Sequence, residues 1–158
     1  MQSRNDPKDR LLSALGDQLQ RDLIAARKAQ DKPAILLLGT ILADVKNHRI
    51  QIQRDLTDED VVEVLRRGIK RRRESIELFE KGGRSDLSAK ERAEVTRLET
   101  YLPAAVSEDV IRAAVREVIA GGATTIGAVM GQVLPRFKGR AEGATINRIA
   151  REELAKPS

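Results

Sequence analysis

The chain has 158 residues, 41% hydrophobic and 34% charged, with a formal net charge of +5; that length suits one medium domain or two small ones, and the cation excess favours an anionic partner, nucleic acid above all. Cys is absent, His48 is the single His, Trp is absent and aromatics make up 2%, which excludes disulfides, thiol nucleophiles, thiolate or His-rich metal sites and a His-based triad, and argues against a base-stacking platform of exposed rings. The longest apolar run, Ala34 to Leu38, is too short to cross a bilayer and Met1–Asp6 has no apolar signal core, so a cytoplasmic location with no membrane partner is expected.

Helical periodicity dominates and strand-like alternation is missing. A first helix is predicted from about Asp9 to Gln30, with Leu11, Leu15, Leu19 and Leu23 every fourth residue and Leu12 and Ile24 widening the stripe. Pro33 opens a second helix at a favoured first-turn position; Ile35, Leu38, Ile41, Leu42 and Val45 form its apolar face, and it runs to about Gln53. Thr57 caps a third, with carboxylates at Asp58, Glu59 and Asp60 in its first turn. Val62, Leu65, Ile69, Ile76 and Phe79 make a heptad-like seam there, interrupted by Arg72 and ended by Gly82-Gly83. Leu87 begins a fourth element, where Ser88 with Glu91 reads as a capping box, and Pro103 ends it. Ser107 caps a fifth helix that buries Ile111, Ala114, Val115, Val118 and Ile119. A sixth spans about Thr125 to Leu134, with Gly127 and Gly131 one turn apart as a place for another helix to approach closely. The seventh runs from about Ala144 to Ala155. The fold class is therefore all-α: an N-terminal antiparallel helical bundle with a connecting helix over 9–103, and a small C-terminal helical domain over 104–156.

Two constellations carry chemistry. Arg66, Arg67, Lys70, Arg71, Arg72 and Arg73 place six cations within eight positions. On a helix these cannot all face one way; Arg66, Lys70 and Arg73 share a face, with Arg67 and Arg71 beside it. The cluster reads either as a solvated face paired with Glu63, Glu74 and Glu77 or as a track for RNA phosphates. The second constellation is the bend from Met130 to Asn147. Pro135 closes the sixth helix, Gly139 suits a positive φ, Gly143 precedes the next helix, and Arg136, Lys138 and Arg140 flank the loop. A helix N-terminus beside three cations is a phosphate-binding corner, with Asn147 placed to cap backbone groups across it; the alternative is a plain turn. His48 reads as a surface or packing residue. No Gly-x-x-x-x-Gly-Lys phosphate loop occurs and no dinucleotide fingerprint follows a strand. No catalytic residue, metal ligand or cofactor site is assigned.

The chain resembles the GatB/YqeY family. The resemblance rests on Lys70 to Phe79 running into Gly82-Gly83-Arg84-Ser85-Asp86-Leu87, on Glu99-Thr100-Tyr101-Leu102-Pro103, and on Met130-Gly131 through Lys138-Gly139-Arg140-Ala141-Glu142-Gly143 with Asn147. It covers about Leu11 to Leu154, with Glu142 standing where the family usually has Asp. Stand-alone members are similar to the helical tail of the B subunit of the tRNA-dependent amidotransferase, which implies a C-terminal domain of that tail's kind and tRNA as partner. The family's association is with carbon–nitrogen ligase activity that uses glutamine as amido donor. Neither the subunit's kinase-like cradle nor the glutaminase's Ser-Lys machinery has a counterpart here, so intrinsic catalysis is not implied. The basic corner together with the resemblance points to a tRNA-binding accessory protein using Arg136, Lys138, Gly139, Arg140, Gly143 and Asn147, with Arg66, Lys70, Arg71 and Arg73 on the basic helix. The alternatives are a component acting with amidotransferase subunits and a helical protein-interaction adaptor.

Overall fold

The computed structural model describes residues 13–157, so the predicted start at Asp9 and the stripe positions Leu11 and Leu12 lie outside the described residues. Within them the chain is all-helical, with no strand: α1 Ala14–Lys28, α2 Lys32–Ile52, α3 Asp58–Lys81, α4 Ser85–Glu99, α5 Glu108–Ala120, α6 Ile126–Val133, a 3₁₀ turn Leu134–Phe137 and α7 Gly143–Leu154. It divides into two compact units between Leu102 and Pro103.

In the N-terminal unit the capping chemistry sets the helix starts. Ser13 accepts from Gly16 N, Asp31 from Ala34 N, and Thr57 and Asp60 form a reciprocal capping box. Leu19, Leu23, Leu38, Ile41, Val45, Val61, Leu65 and Leu98 are buried in one core to which α1, α2, α3 and α4 all contribute. Ile24 departs from the predicted stripe and is 52% exposed. Ala26, one heptad after Leu19, takes the inward position instead. Gly68 marks the tightest approach: a Cβ there would stand 3.2 Å from Ile41 Cδ1 and 3.3 Å from Arg72 Nη1. Arg72, the charge interrupting the seam, is largely covered between α3 and α4; its Nε donates to Glu94 at 2.8 Å and its Nη1 to Gly68 O at 3.0 Å.

The α3–α4 turn corrects the expected capping box. Gly83, at φ 71°, reverses the chain so sharply that Arg84 N already bonds Phe79 O, and α4 begins at Ser85. Ser88 is then a buried interior residue whose hydroxyl donates to Glu80 across the turn. At the far end of α4, the Tyr101 hydroxyl donates to Asp22 of α1.

The C-terminal unit packs α5, α6 and α7 around Ile111, Val115, Val129, Val133, Phe137, Ile146 and Ile149. Ser107 and Thr125 cap α5 and α6 through their side-chain oxygens. Glu153 of α7 is buried, and its carboxylate accepts from Arg112 Nη1 at 2.7 Å, Arg116 Nε at 3.0 Å and Lys156 Nζ at 2.7 Å. Gly127 and Gly131 meet nothing within 4 Å, so the close helix approach predicted there does not occur. Their side of α6 is open.

Candidate nucleic-acid interface

The bend of the C-terminal unit is built from its proline outwards. Pro135 does not end the helical path; it is accommodated in the 3₁₀ turn that continues α6. Phe137 closes that turn by burying its ring, and its carbonyl accepts from both Arg140 N at 2.8 Å and Ala141 N at 3.1 Å. Gly139, at φ 78°, supplies the left-handed residue this reversal requires. Arg140 O in turn accepts from Val106 N, tying the bend to the segment before α5.

The three cations of the bend differ in how they are held. Lys138 is exposed and has no ion pair or hydrogen bond among the described residues. Arg140 is exposed; its Nη2 donates to Arg136 O at 2.8 Å and its guanidinium lies over the Phe137 ring, 5.6 Å from the centroid. Arg136 faces Glu117 of α5 at 3.4 Å, with side chains 44% and 71% exposed. A pair that open to water holds its members weakly. Gly143 is the first residue of α7 and touches the 3₁₀ turn, since a Cβ on it would stand 3.7 Å from Leu134 Cδ1.

Asn147 does not cap the corner. It sits beyond the first turn of α7, where its Oδ1 accepts from Arg151 Nε at 2.8 Å. Arg151 is therefore a residue that sequence reasoning missed. The signal that could have found it was the spacing of four between an amide and a guanidinium on one helix.

On α3 the cations divide between two neighbouring helices. Toward α2, Arg71 pairs with Asp44 at 3.1 Å and Arg67 Nη2 lies 3.1 Å from His48 Nδ1. Toward α4, Arg72 pairs with Glu94 and Arg73 with Glu99, at 2.8 and 2.6 Å. The expected partners Glu74 and Glu77 make no ion pair among the described residues; only Glu63 meets Arg67, at 4.0 Å. Acids on adjacent helices take the place of the acids on α3 itself. Arg66 is half-buried, whereas Lys70 is exposed without an ion pair among the described residues. A polar cleft of about 460 Å³ between α2 and α3 is lined by Asp44, His48, Arg67, Lys70, Arg71 and Glu74 among others.

His48, Asp60 and Glu63 bring one oxygen or nitrogen each within 4.8 Å of one another. Asp60, however, already accepts from Arg54 Nη1 and Nη2 at 2.6 and 3.0 Å and from Thr57 N and Oγ1 at 2.9 and 3.0 Å. Its two oxygens are consumed by the capping box and the arginine. The Arg54 guanidinium, with Thr57, holds the Asp60 carboxyl well below the usual carboxylate range against the opposing effect of burial.

No helix among the described residues is long and apolar enough to cross a membrane. The family model for the Yqey-like protein matches residues 16–154. A protein of Pyrenophora tritici-repentis named "Altered inheritance of mitochondria protein 41, mitochondrial" is 33% identical over 78% of this chain and 71% of its own length. An uncharacterized protein of Schizosaccharomyces pombe is 31% identical over 54% of this chain and 69% of its own. With the family model spanning all seven helices but the ends, the chain belongs to the YqeY-like protein family.

Proposed function

We propose that this protein is a non-enzymatic RNA-binding accessory protein whose C-terminal unit grips the phosphate backbone of tRNA. The observation that carries the reading is the bend between α6 and α7, where Lys138 and Arg140 stand exposed with no carboxylate partner among the described residues. Arg136 joins them once its exposed pairing with Glu117 opens. The choice of tRNA draws on the resemblance to the amidotransferase tail. A helical surface with few rings reads backbone shape, so little base specificity is expected. On the basic helix, Lys70 is the ready contributor, while Arg71 and Arg73 must first leave Asp44 and Glu99.

The test is filter binding of tRNA by the full chain over a salt series, with Lys138→Ala and Arg140→Ala beside the wild type. Removing one cation that neutralises a phosphate should flatten the log–log salt dependence by about 0.7 to 0.9. Failure to bind at low salt, or affinity indifferent to salt, would sink the reading.

A further inference from the structure

Every arginine of the C-terminal unit except two meets a carboxylate among the described residues: Arg112 meets Glu152 and Glu153, Arg116 meets Glu153, Arg136 meets Glu117, and Arg148 meets Glu108 and Glu152. The exceptions are Arg140 and Arg151, and each is held by a neutral acceptor, Arg136 O and Asn147 Oδ1, both at 2.8 Å. A neutral acceptor fixes the direction of a guanidinium without cancelling its charge. That leaves the remaining N–H groups preorganised for an anion.

The layout of α7 explains why Arg151 has no acid beside it. Residues four apart share a flank of a helix, so Gly143, Asn147 and Arg151 run along one side. That side begins against Leu134 of the 3₁₀ turn, which lies 3.7 Å from the position of a Gly143 Cβ. The neighbouring α6 has no charged residue, and neither does any position from Gly121 to Pro135. The other flank of α7 carries Arg148 and Glu152, which meet Glu108 and Arg112 of α5. One side of α7 is thus neutralised and the other is not.

We infer that Arg151 is a further phosphate-contacting residue of the surface that Lys138 and Arg140 begin, and that Asn147 is its positioning residue and does not itself touch the nucleic acid. The inference rests on the RNA reading above. The ligand chemistry is the diester backbone, because a guanidinium offers two parallel donors to one phosphate. From Gly143 to Arg151 the helix advances about 12 Å, so the cationic surface extends that far along α7.

The experiment uses the full chain with tRNA as probe, in filter binding over a salt series. Arg151→Ala should weaken binding and flatten the log–log salt dependence by about 0.7 to 0.9. Arg151→Lys, which keeps the charge but loses the Nε bond, should keep the slope with weaker binding. Asn147→Ala should weaken binding at unchanged slope, and should add nothing in the Arg151→Ala background. Arg148→Ala combined with Glu108→Ala, which removes a matched pair from the other flank of α7 with no change in net charge, should bind as wild type does. Melting curves accompany each variant; should Arg151→Ala melt early, Arg151→Gln tests the charge with a polar side chain of similar reach. If Arg151→Ala binds as wild type while Lys138→Ala does not, the inference fails and the RNA reading stands. If Asn147→Ala still weakens binding without Arg151, its positioning role is refuted. If the wild type does not bind tRNA at low salt, both readings fall.

Discussion

Asp60 is the clearest place to test how the N-terminal unit is held together. Its side chain is 3% exposed and accepts four hydrogen bonds, two from Arg54 and two from Thr57, at the first turn of α3. Asp60→Ala removes the returning half of the capping box, the bonds accepted from Thr57 N and Oγ1, at a cost of about 1 kcal/mol, while Thr57 Oγ1 still accepts from the backbone N–H of residue 60. It also removes a charged pair, whose loss costs about 3 to 5 kcal/mol when both members are buried. Here Arg54 is 50% exposed and is rehydrated once released, so a total of about 2 to 3 kcal/mol is expected. For a unit of this size that corresponds to a fall of roughly 8 to 20 °C in melting temperature. The pH dependence has a definite sign. The folded carboxyl titrates below its unfolded counterpart, so its contribution is fully present above the unfolded value near 3.8 and is lost as pH falls toward the folded one. Asp60→Asn keeps the shape without the titration, so the stability gap between wild type and this variant should narrow as the solution is acidified from about pH 5. Urea unfolding followed by circular dichroism, with hydrogen exchange on the first turn of α3, reads both effects. A variant within about 0.5 kcal/mol of wild type at neutral pH, or a gap that stays constant on acidification, would refute the reasoning.

Other parts of the fold give equally direct expectations. The Glu153 carboxyl is held down to about 2 by hydrogen bonds from Arg116, Lys156 and Arg112, against burial; its stabilisation is present above the unfolded value of 4.5 and lost as pH falls through about 2, so Glu153→Gln should speed hydrogen exchange in α5 and α7 at neutral pH and much less in strong acid. Tyr101 is the single Tyr, and burial followed by its bond to Asp22 pushes its phenol above the usual range; an ultraviolet titration should show no phenolate near pH 10 until the chain unfolds, and Asp22→Asn should bring the transition down. Gly68→Val should destabilise the N-terminal unit by about 1 to 3 kcal/mol through overpacking against Ile41; a chemical-denaturation midpoint equal to wild type would show that the α2–α3 crossing yields more than the geometry implies.

Much of the helical layout is legible in the sequence because its signals are local. Thr57 and Ser107 cap the helices they precede, and the break at Gly82-Gly83 falls where α3 ends. What escaped is decided by neighbours distant in sequence. Ser88 looks like a cap until Glu80 is brought across the turn to accept its hydroxyl. Ile24 fits the apolar stripe of α1 by spacing, yet it is exposed, and no helix among the described residues covers it. Glu74 and Glu77 are well spaced for Arg71 and Arg73 along α3, but Asp44 and Glu99 reach those arginines from α2 and α4. Asn147 is the exception at the candidate site: its position near the bend suggests a cap, yet the contact that decides its role is local, with its oxygen going to Arg151 one turn further along α7.

The charges of the C-terminal unit show why clustering in sequence is a poor guide to binding. α3 has the densest run of cations in the chain, yet Arg71, Arg72 and Arg73 each meet a carboxylate. The bend has fewer, yet Lys138 and Arg140 meet no carboxylate among the described residues, and the segment before them, from Gly121 to Pro135, contains no acid. Between α5 and α7, by contrast, Glu108, Glu152 and Glu153 are met by Arg112, Arg116, Arg148 and Lys156. Screening at physiological salt confines each field to about 8 Å, so these matched pairs contribute little beyond their own helices. These carboxylates are thus matched between α5 and α7, while Lys138, Arg140 and Arg151 meet none among the described residues, which is the asymmetry the proposed RNA reading relies on. On that reading, the absence of acids from α6 matters alongside the cations themselves, because no carboxylate of that helix competes with a phosphate for them.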